Sequence, residues 1–384
     1  MVELRWVFDM SLLNNKNNLV FYFSTSEYEL LAENIYKKIL FSNFKDATQK
    51  IKMMIDNEEL KDKIIVGAFP FSDNENGNFY VVDKFKKSEK KLSDRERVIT
   101  LLEHKNKVLY KKTFPSDDVF KNNVNKGLNY ISSGLIEKIV LSRGYIIEFE
   151  NKIKIDQIIK RLYKNNALGY IYAINLLDNG FVLGASPEML VSKRGYKISS
   201  NPLAGSRPRS NNLYKDKLLA EELKHSKKDL NEHKIVVNYI IKNLNEVCTN
   251  IKYHKLPKLI NTNQLWHLST HIEANVRDEI KTVFDVAEQI HPTPAVCGFP
   301  KLESSEKISE LEQYNRGLFA GLVGWCDENG DGDLAILIRG AKINGNKIKI
   351  QAGAGIVEGS VPSEELKETS VKMKTILESI GLEI

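Results

Sequence analysis

The stretch YIYAINLLDNGFVLGASPEMLVSKRGYKISSNPLAGSRPR, residues 170–209, decides the fold class. Two apolar runs, Tyr170–Leu176 and Gly180–Leu183, flank an Asp-Asn-Gly turn at 178–180, which is a hairpin signature. A second pair of short strands follows around Arg194-Gly195. Strands that come in hairpins, rather than alternating one by one with helices, predict an α+β fold with large mixed or antiparallel sheets flanked by helices.

Working outward, the pattern predicts strands at Leu19–Ser24, Lys63–Phe69 and Asn78–Val82, with helices at Glu27–Phe41 and Asp94–Asn106. A helix is expected at Asp117–Ser133 and an Ile- and Val-rich strand at Glu137–Phe149. One long helix is predicted from about Leu213 to Leu244. Strands are predicted at Leu265–Ile272, Gly321–Cys326, Leu334–Ile338 and Lys347–Gln351, and a closing helix at Glu364–Ile380. The expected organisation is one domain over 1–384, with a more variable part to about 115 and a core over about 120–380.

The 384 residues are 42% hydrophobic and 28% charged, the ordinary balance of a globular protein, and exclude collagen, low-complexity and disulfide-scaffold classes. A net charge of +6, spread along the chain, predicts no nucleic-acid stripe; it suits either a Lys-rich composition or a cleft that attracts small anions. Three scattered cysteines predict a reducing compartment, and no apolar stretch is long enough for a signal peptide core or a membrane span. A cytoplasmic protein is the expectation.

Several residues invite chemistry. Lys138 shares a strand face with Ile136, Val140 and Ser142. It is either an edge charge that reaches water or a desolvated amine able to act as a base. Glu188 follows Ser186-Pro187 at a turn leaving a strand, where either an exposed or a catalytic carboxylate fits. Asp229 and Glu232 lie one helical turn apart; Glu365, Glu368 and Lys372 share a face of the last helix. Surface pairing is one reading; two acidic turns facing each other would make an oxygen cage suited to Mg²⁺. Glycines 353, 355 and 359 are mis-spaced for a dinucleotide fingerprint but let backbone N–H groups approach an anion. His267 and His271 lie in an alternating run, which argues against zinc.

Taken in order, IEKIVLSR (136–143), GASPEMLV (184–191), NPLAGSRPR (201–209), DLNEH (229–233), LWHLST (265–270), HPTPAVCGFP (291–300), YNRGLFAGLVGW (314–325), AILIRGA (335–341) and AGAGIV with EELKETSVK (352–372) resemble the chorismate-utilising enzymes. VGAFPFSDN, from residue 66, extends the likeness toward the N-terminus. The resemblance implies an anthranilate synthase component I-like fold and, onto matching positions, roles. Lys138 resembles the base that activates water for attack at C2, and Glu188 the acid that protonates the departing C4 hydroxyl. Glu232 and Glu368 resemble direct Mg²⁺ ligands, with Asp229 and Glu365 holding its waters. Gly205, Gly353 and Lys372 resemble the site of the ring carboxylate, Ser206 a further substrate-binding residue, Arg339 the clamp on the enolpyruvyl carboxylate, and His267, Ala295, Val296 and Phe319 the pocket walls. Such chemistry asks for a lowered Lys138 and a raised Glu188 pKa.

Within the family, Lys138, Ala204 in NPLAGS and Phe319 resemble the isochorismate synthases of siderophore pathways more than anthranilate, aminodeoxychorismate or salicylate synthases. The implied activity is a Mg²⁺-dependent isomerisation of chorismate by a monomer, with no glutaminase subunit. Salicylate synthesis and a menaquinone pathway stay open. Glu358 receives no role.

Overall fold

The computed structural model describes residues 19–72, 75–89, 106–166, 169–176 and 180–382. The helix expected at Asp94–Asn106 lies outside them except for Asn106, which is not helical, and the turn residues 178 and 179 lie outside them too. The helices are α1 (Phe44–Asp56), α2 (Asp117–Ser132), α3 (Ile155–Asn165), α4 (Leu213–His225), α5 (Lys227–Val247), α6 (Val283–Ile290), α7 (Lys301–Glu312) and α8 (Pro362–Ser379).

Among the described residues, ten strands form one sheet, nine a second and three a small third, with every pairing antiparallel. The first sheet runs from Gly298–Phe299 through Lys138–Phe149, Lys347–Ile356, Gly340–Asn344, Phe181–Ser186 and Tyr170–Asn175 to the N-terminal strands Phe21–Ser24 and Tyr28–Asn34. The second carries Met189–Arg194 and Leu322–Asp327 beside the N-terminal strand Ile64–Phe69. N-terminal and later strands therefore share both sheets.

Phe21, Leu30, Tyr172 and Val182 of the first sheet pack with Val66, Tyr80, Val323 and Ala335 of the second, so the sheets face each other over one core. The far face of the first sheet is covered by α3 and α8, through Ile159, Leu162, Met373 and Ile376. That of the second is covered by α1, α5 and α6, through Ile51, Ile240 and Phe284. The result is four layers, helices outside and antiparallel sheets inside, which agrees with the α+β expectation.

Three expectations need correction. Residues 27–41 are not a helix but two strands, Tyr28–Asn34 and Lys37–Phe41, in different sheets. Leu30 enters the core between the sheets while Leu31 enters the helix-covered core, so both faces are buried. Burial on both sides overrides the helical propensity of Glu, Leu and Ala. The helix lies instead at α1. The long helix of 213–244 breaks at Ser226, whose side chain accepts from the Asp229 N–H and so caps α5 as a new start. The run 265–272 is two strands, Leu265–Ser269 in the small sheet and Ile272–Val276 in the second large one.

Candidate active site

A cleft of about 690 Å³, open to solvent, lies where the first sheet, the small sheet, α5 and α8 meet. Strand Lys138–Phe149 pairs with Lys347–Ile356 so that Val140 faces Gly355 and Ser142 faces Gly353. Val140 and both glycines line the cleft. Lys138, two residues before Val140, is fully buried just behind this wall. Its Nζ stands 2.8 Å from Glu232 Oε1. The angle there makes it an ion pair without an aligned hydrogen bond. A Cβ at residue 355 would collide with Glu232 Oε1, so the missing side chain of Gly355 is what admits the pair.

Glu188 leaves the strand Phe181–Ser186 through Pro187, and its N–H donates to Ser186 Oγ at 3.2 Å. The side chain lines the cleft at 3% exposure. Burial pushes its carboxyl up to about 7; the Leu203 N–H and the charges of Lys138, Lys372 and Arg339 restrain that rise. A carboxyl that is half protonated at neutral pH is the expected proton donor.

Asp229 and Glu232 come from the first two turns of α5, and Glu365 and Glu368 from those of α8. Each is matched by a cation: Arg207 lies 2.8 Å from Asp229, Lys228 2.6 Å from Glu365, and Lys372 2.6 Å from Glu368, beside the Lys138–Glu232 pair. Burial and the adjacent Glu368 charge raise Glu365 to about 7. For Glu368 burial works upward too, but the charges of Lys372 and Lys228 outweigh it, and its carboxyl is held below the usual range. Among the described residues no three of His, Cys, Asp or Glu converge into a ready metal cluster. The donor chemistry nevertheless suits a hard cation: four carboxylates, with Glu232 and Glu368 opening on the cleft and Glu365 crowded by like charge.

Arg339 sits at φ 53°, in the short connection between the strands Gly332–Ile336 and Gly340–Asn344. Burial lowers the guanidinium to about 10, with Glu368 and Glu188 opposing. Its Nη2 donates to His267 Nε2 at 3.4 Å. His267 is pushed well below the usual imidazole range by burial, then by Arg339 and Lys372, so it is a neutral acceptor. Lys372 donates to the Gly353 carbonyl at 2.9 Å. Gly205 has φ 77°, and a Cβ there would stand 3.0 Å from Asp229 Cβ.

The structure thus brings Glu188, Gly205, Ser206, Glu232, His267, Ala295, Val296, Phe319, Arg339, Gly353, Glu368 and Lys372 to one cleft. Lys138, Asp229 and Glu365 lie behind its wall, tied to cations or carboxylates that face it or flank it. Glu358 is exposed. Gly355, Arg207 and Lys228 were missed by the sequence reading: the glycine run held a signal for the first, but nothing local marks the two cations as counter-ions. Among the described residues no helix is long and apolar enough to cross a membrane.

Comparison with known proteins bears on the family of the chain. Residues 31–381 match the family described as chorismate binding enzyme. The chain is 38% identical to the isochorismate synthase DhbC of Bacillus subtilis over 326 residues, 83% of this chain and 81% of that protein. It is 34% identical to the vibriobactin-specific isochorismate synthase of Vibrio cholerae, over 95% of this chain and 92% of that one. A crystal structure described as a 2,3-dihydroxybenzoate-specific isochorismate synthase, DhbC of Bacillus anthracis, superposes with a TM-score of 0.90 at 34% identity, covering 97% of this chain and 99% of that chain. With the family matched over nearly the whole length and the cleft built from its motif-bearing segments, the chain belongs to the chorismate-binding enzymes.

Proposed function

We propose that this protein is an isochorismate synthase that converts chorismate to isochorismate for siderophore biosynthesis. The observation that carries the reading is Glu188, a carboxyl buried in the cleft and raised to about 7, with Glu232 lining the same cleft and its partner Lys138 just behind the wall. The siderophore-specific descriptions of its relatives support the pathway.

Chorismate is a dianion, and the cleft offers a planar guanidinium at Arg339 for one carboxylate, with Lys372 and the backbone at Gly205 and Gly353 for the other. Lys138, as the base, takes a proton from water, whose oxygen bonds to C2. The ring double bonds shift, the C4–O bond breaks, and Glu188 gives its proton to the departing hydroxyl, which leaves as water. One water enters and one leaves, so the product is an isomer. Neutral His267 and the apolar Val296 and Phe319 exclude other nucleophiles. Glu232 and Glu368 would hold Mg²⁺, with Asp229 and Glu365 holding its waters; the ion would neutralise the ring carboxylate. A cytoplasmic monomer without a glutaminase subunit goes with this reading, since the nucleophile is water and the three cysteines are buried free thiols.

The test is incubation of pure protein with chorismate and Mg²⁺, with and without ammonium, and chromatography of the products. Isochorismate rising to a constant ratio with chorismate is expected. Salicylate with pyruvate, or an aminated product that needs ammonium, would replace the proposal with a different member of the family.

A further inference from the structure

The strand that carries Lys138 has an interrupted outer edge. Gly298–Phe299 pairs with it at Lys138 and Ile139, and Val108–Phe114 pairs with it from Gly144 onward. Among the described residues no strand pairs with the edge groups of Val140 and Ser142, apart from the Val140 N–H, which donates to the Cys297 carbonyl at 2.7 Å. Unpaired N–H and C=O groups in a buried edge are costly. Here side chains from the end of α7 and the loop after it supply the partners. Arg316 Nη2 donates to the Val140 carbonyl at 2.7 Å, Glu312 Oε1 accepts from the Ser142 N–H at 2.7 Å, and Tyr314 Oη donates to the Ser142 carbonyl at 2.6 Å.

Glu312 and Arg316 are themselves a buried pair, joined at 2.8 Å through Nε and 2.6 Å through Nη2. The remaining Nη1 donates to the Val296 carbonyl at 2.9 Å. The guanidinium lies over the rings of Phe71, at 4.5 Å, and Phe319, at 5.9 Å. One planar group therefore touches three cleft walls, Val140, Val296 and Phe319, and holds the strand two residues from Lys138.

We propose that the buried Glu312–Arg316 pair is a positioning element of the active site. It stands in for a missing strand beside Val140–Ser142 and sets the walls against which the substrate ring and the Lys138 amine align. The inference rests on the proposed chorismate chemistry for what is being aligned, but the pair's hold on the strand is independent of it. A fork that bonds two carbonyls and a carboxylate at once is something lysine cannot reproduce. Misplacing reacting groups by a fraction of an ångström lowers turnover more than it lowers binding.

Removing one partner strands a buried charge, so single truncations risk unfolding; the paired variant Glu312→Leu/Arg316→Met replaces both with apolar groups of similar size. Arg316→Lys is the second variant, retaining charge without the fork. In both, kcat for chorismate should fall by at least about tenfold while KM stays within about threefold, with a cooperative melt retained. Amide exchange at Val140 and Ser142 should quicken in the paired variant. Unchanged kcat in either folded variant, or unchanged exchange at those amides, would overturn the proposal. If the parent makes a product other than isochorismate, the functional reading fails; the same kcat and KM comparison on that product, and the exchange measurement, still judge the pair.

Discussion

Lys138 Nζ lies 2.8 Å from Glu232 Oε1, and both are held over a residue, Gly355, that has no side chain to displace them. The pair joins the proposed base to a carboxylate that opens on the cleft, from segments far apart in the chain. Its geometry depends on a single absent methyl group.

Gly355→Ala puts a Cβ against Glu232 Oε1 and within 3.0 Å of Lys138 Cε. The backbone pairing with Val140 leaves little room to retreat. Turnover should fall by about 10²-fold or more through misplacement of the two groups. Steady-state kinetics on the folded variant checks this; near-parental kcat would show that the pair's position does not matter.

Lys138→Ala removes the proposed base and leaves Glu232 without its counter-ion. We expect turnover to fall by about 10²–10⁴-fold, the range of general-base loss. Stability should fall by about 3 kcal/mol for the stranded buried charge. Chorismate binding by calorimetry should survive. A variant that keeps normal turnover would remove Lys138 from the reaction.

Glu188 carries two pH predictions. Its acid form donates the proton, so the rate should decline as pH rises through about 7, a limb that Glu188→Gln abolishes together with turnover. Because its folded value lies above the ordinary 4.5, its contribution to stability is complete below that value and is lost as pH rises through about 7. The loss is about 3 kcal/mol. Glu188→Gln mimics the protonated state, so its melting temperature should gain on the parent between pH 5 and pH 8. Parallel melting curves across that range would contradict the buried-acid assignment.

Chelation tests the four-carboxylate site. With excess chelator, turnover should drop below detection and return on adding Mg²⁺. Glu232→Gln and Glu368→Gln should each need more Mg²⁺ for half-maximal rate, measured by titration. Full activity in chelator would restrict these carboxylates to pairing with Lys138 and Lys372.

Much of the fold was legible because its signals are local. The hairpins of 170–200 follow from turn chemistry and short β-rich runs, and α2 and α8 follow from amphipathic spacing with a serine cap and an N1 proline. The misread segment 28–41 shows the limit. Leu30 and Leu31 belong to two different cores, and no window of sequence reveals that a strand will be covered on both faces. Similarly, the break at Ser226 turns on a single capping hydrogen bond within a run that is otherwise helical in character.

The amino-acid sequence by itself singled out the candidates for the chemistry: ordered motifs pointed to Lys138, Glu188, Arg339 and the acidic turns of α5 and α8. Only the tertiary structure decided their state. Whether a carboxyl is charged depends on how much water and which charges surround it, and those come from distant segments. Glu188 is an acid near neutrality because the fold removes its water. Asp229 and Glu365 lie behind the cleft because Arg207 and Lys228 meet them there. Arg316 reaches Val140 because two strands stop short of each other, and that gap exists only once the sheet has formed.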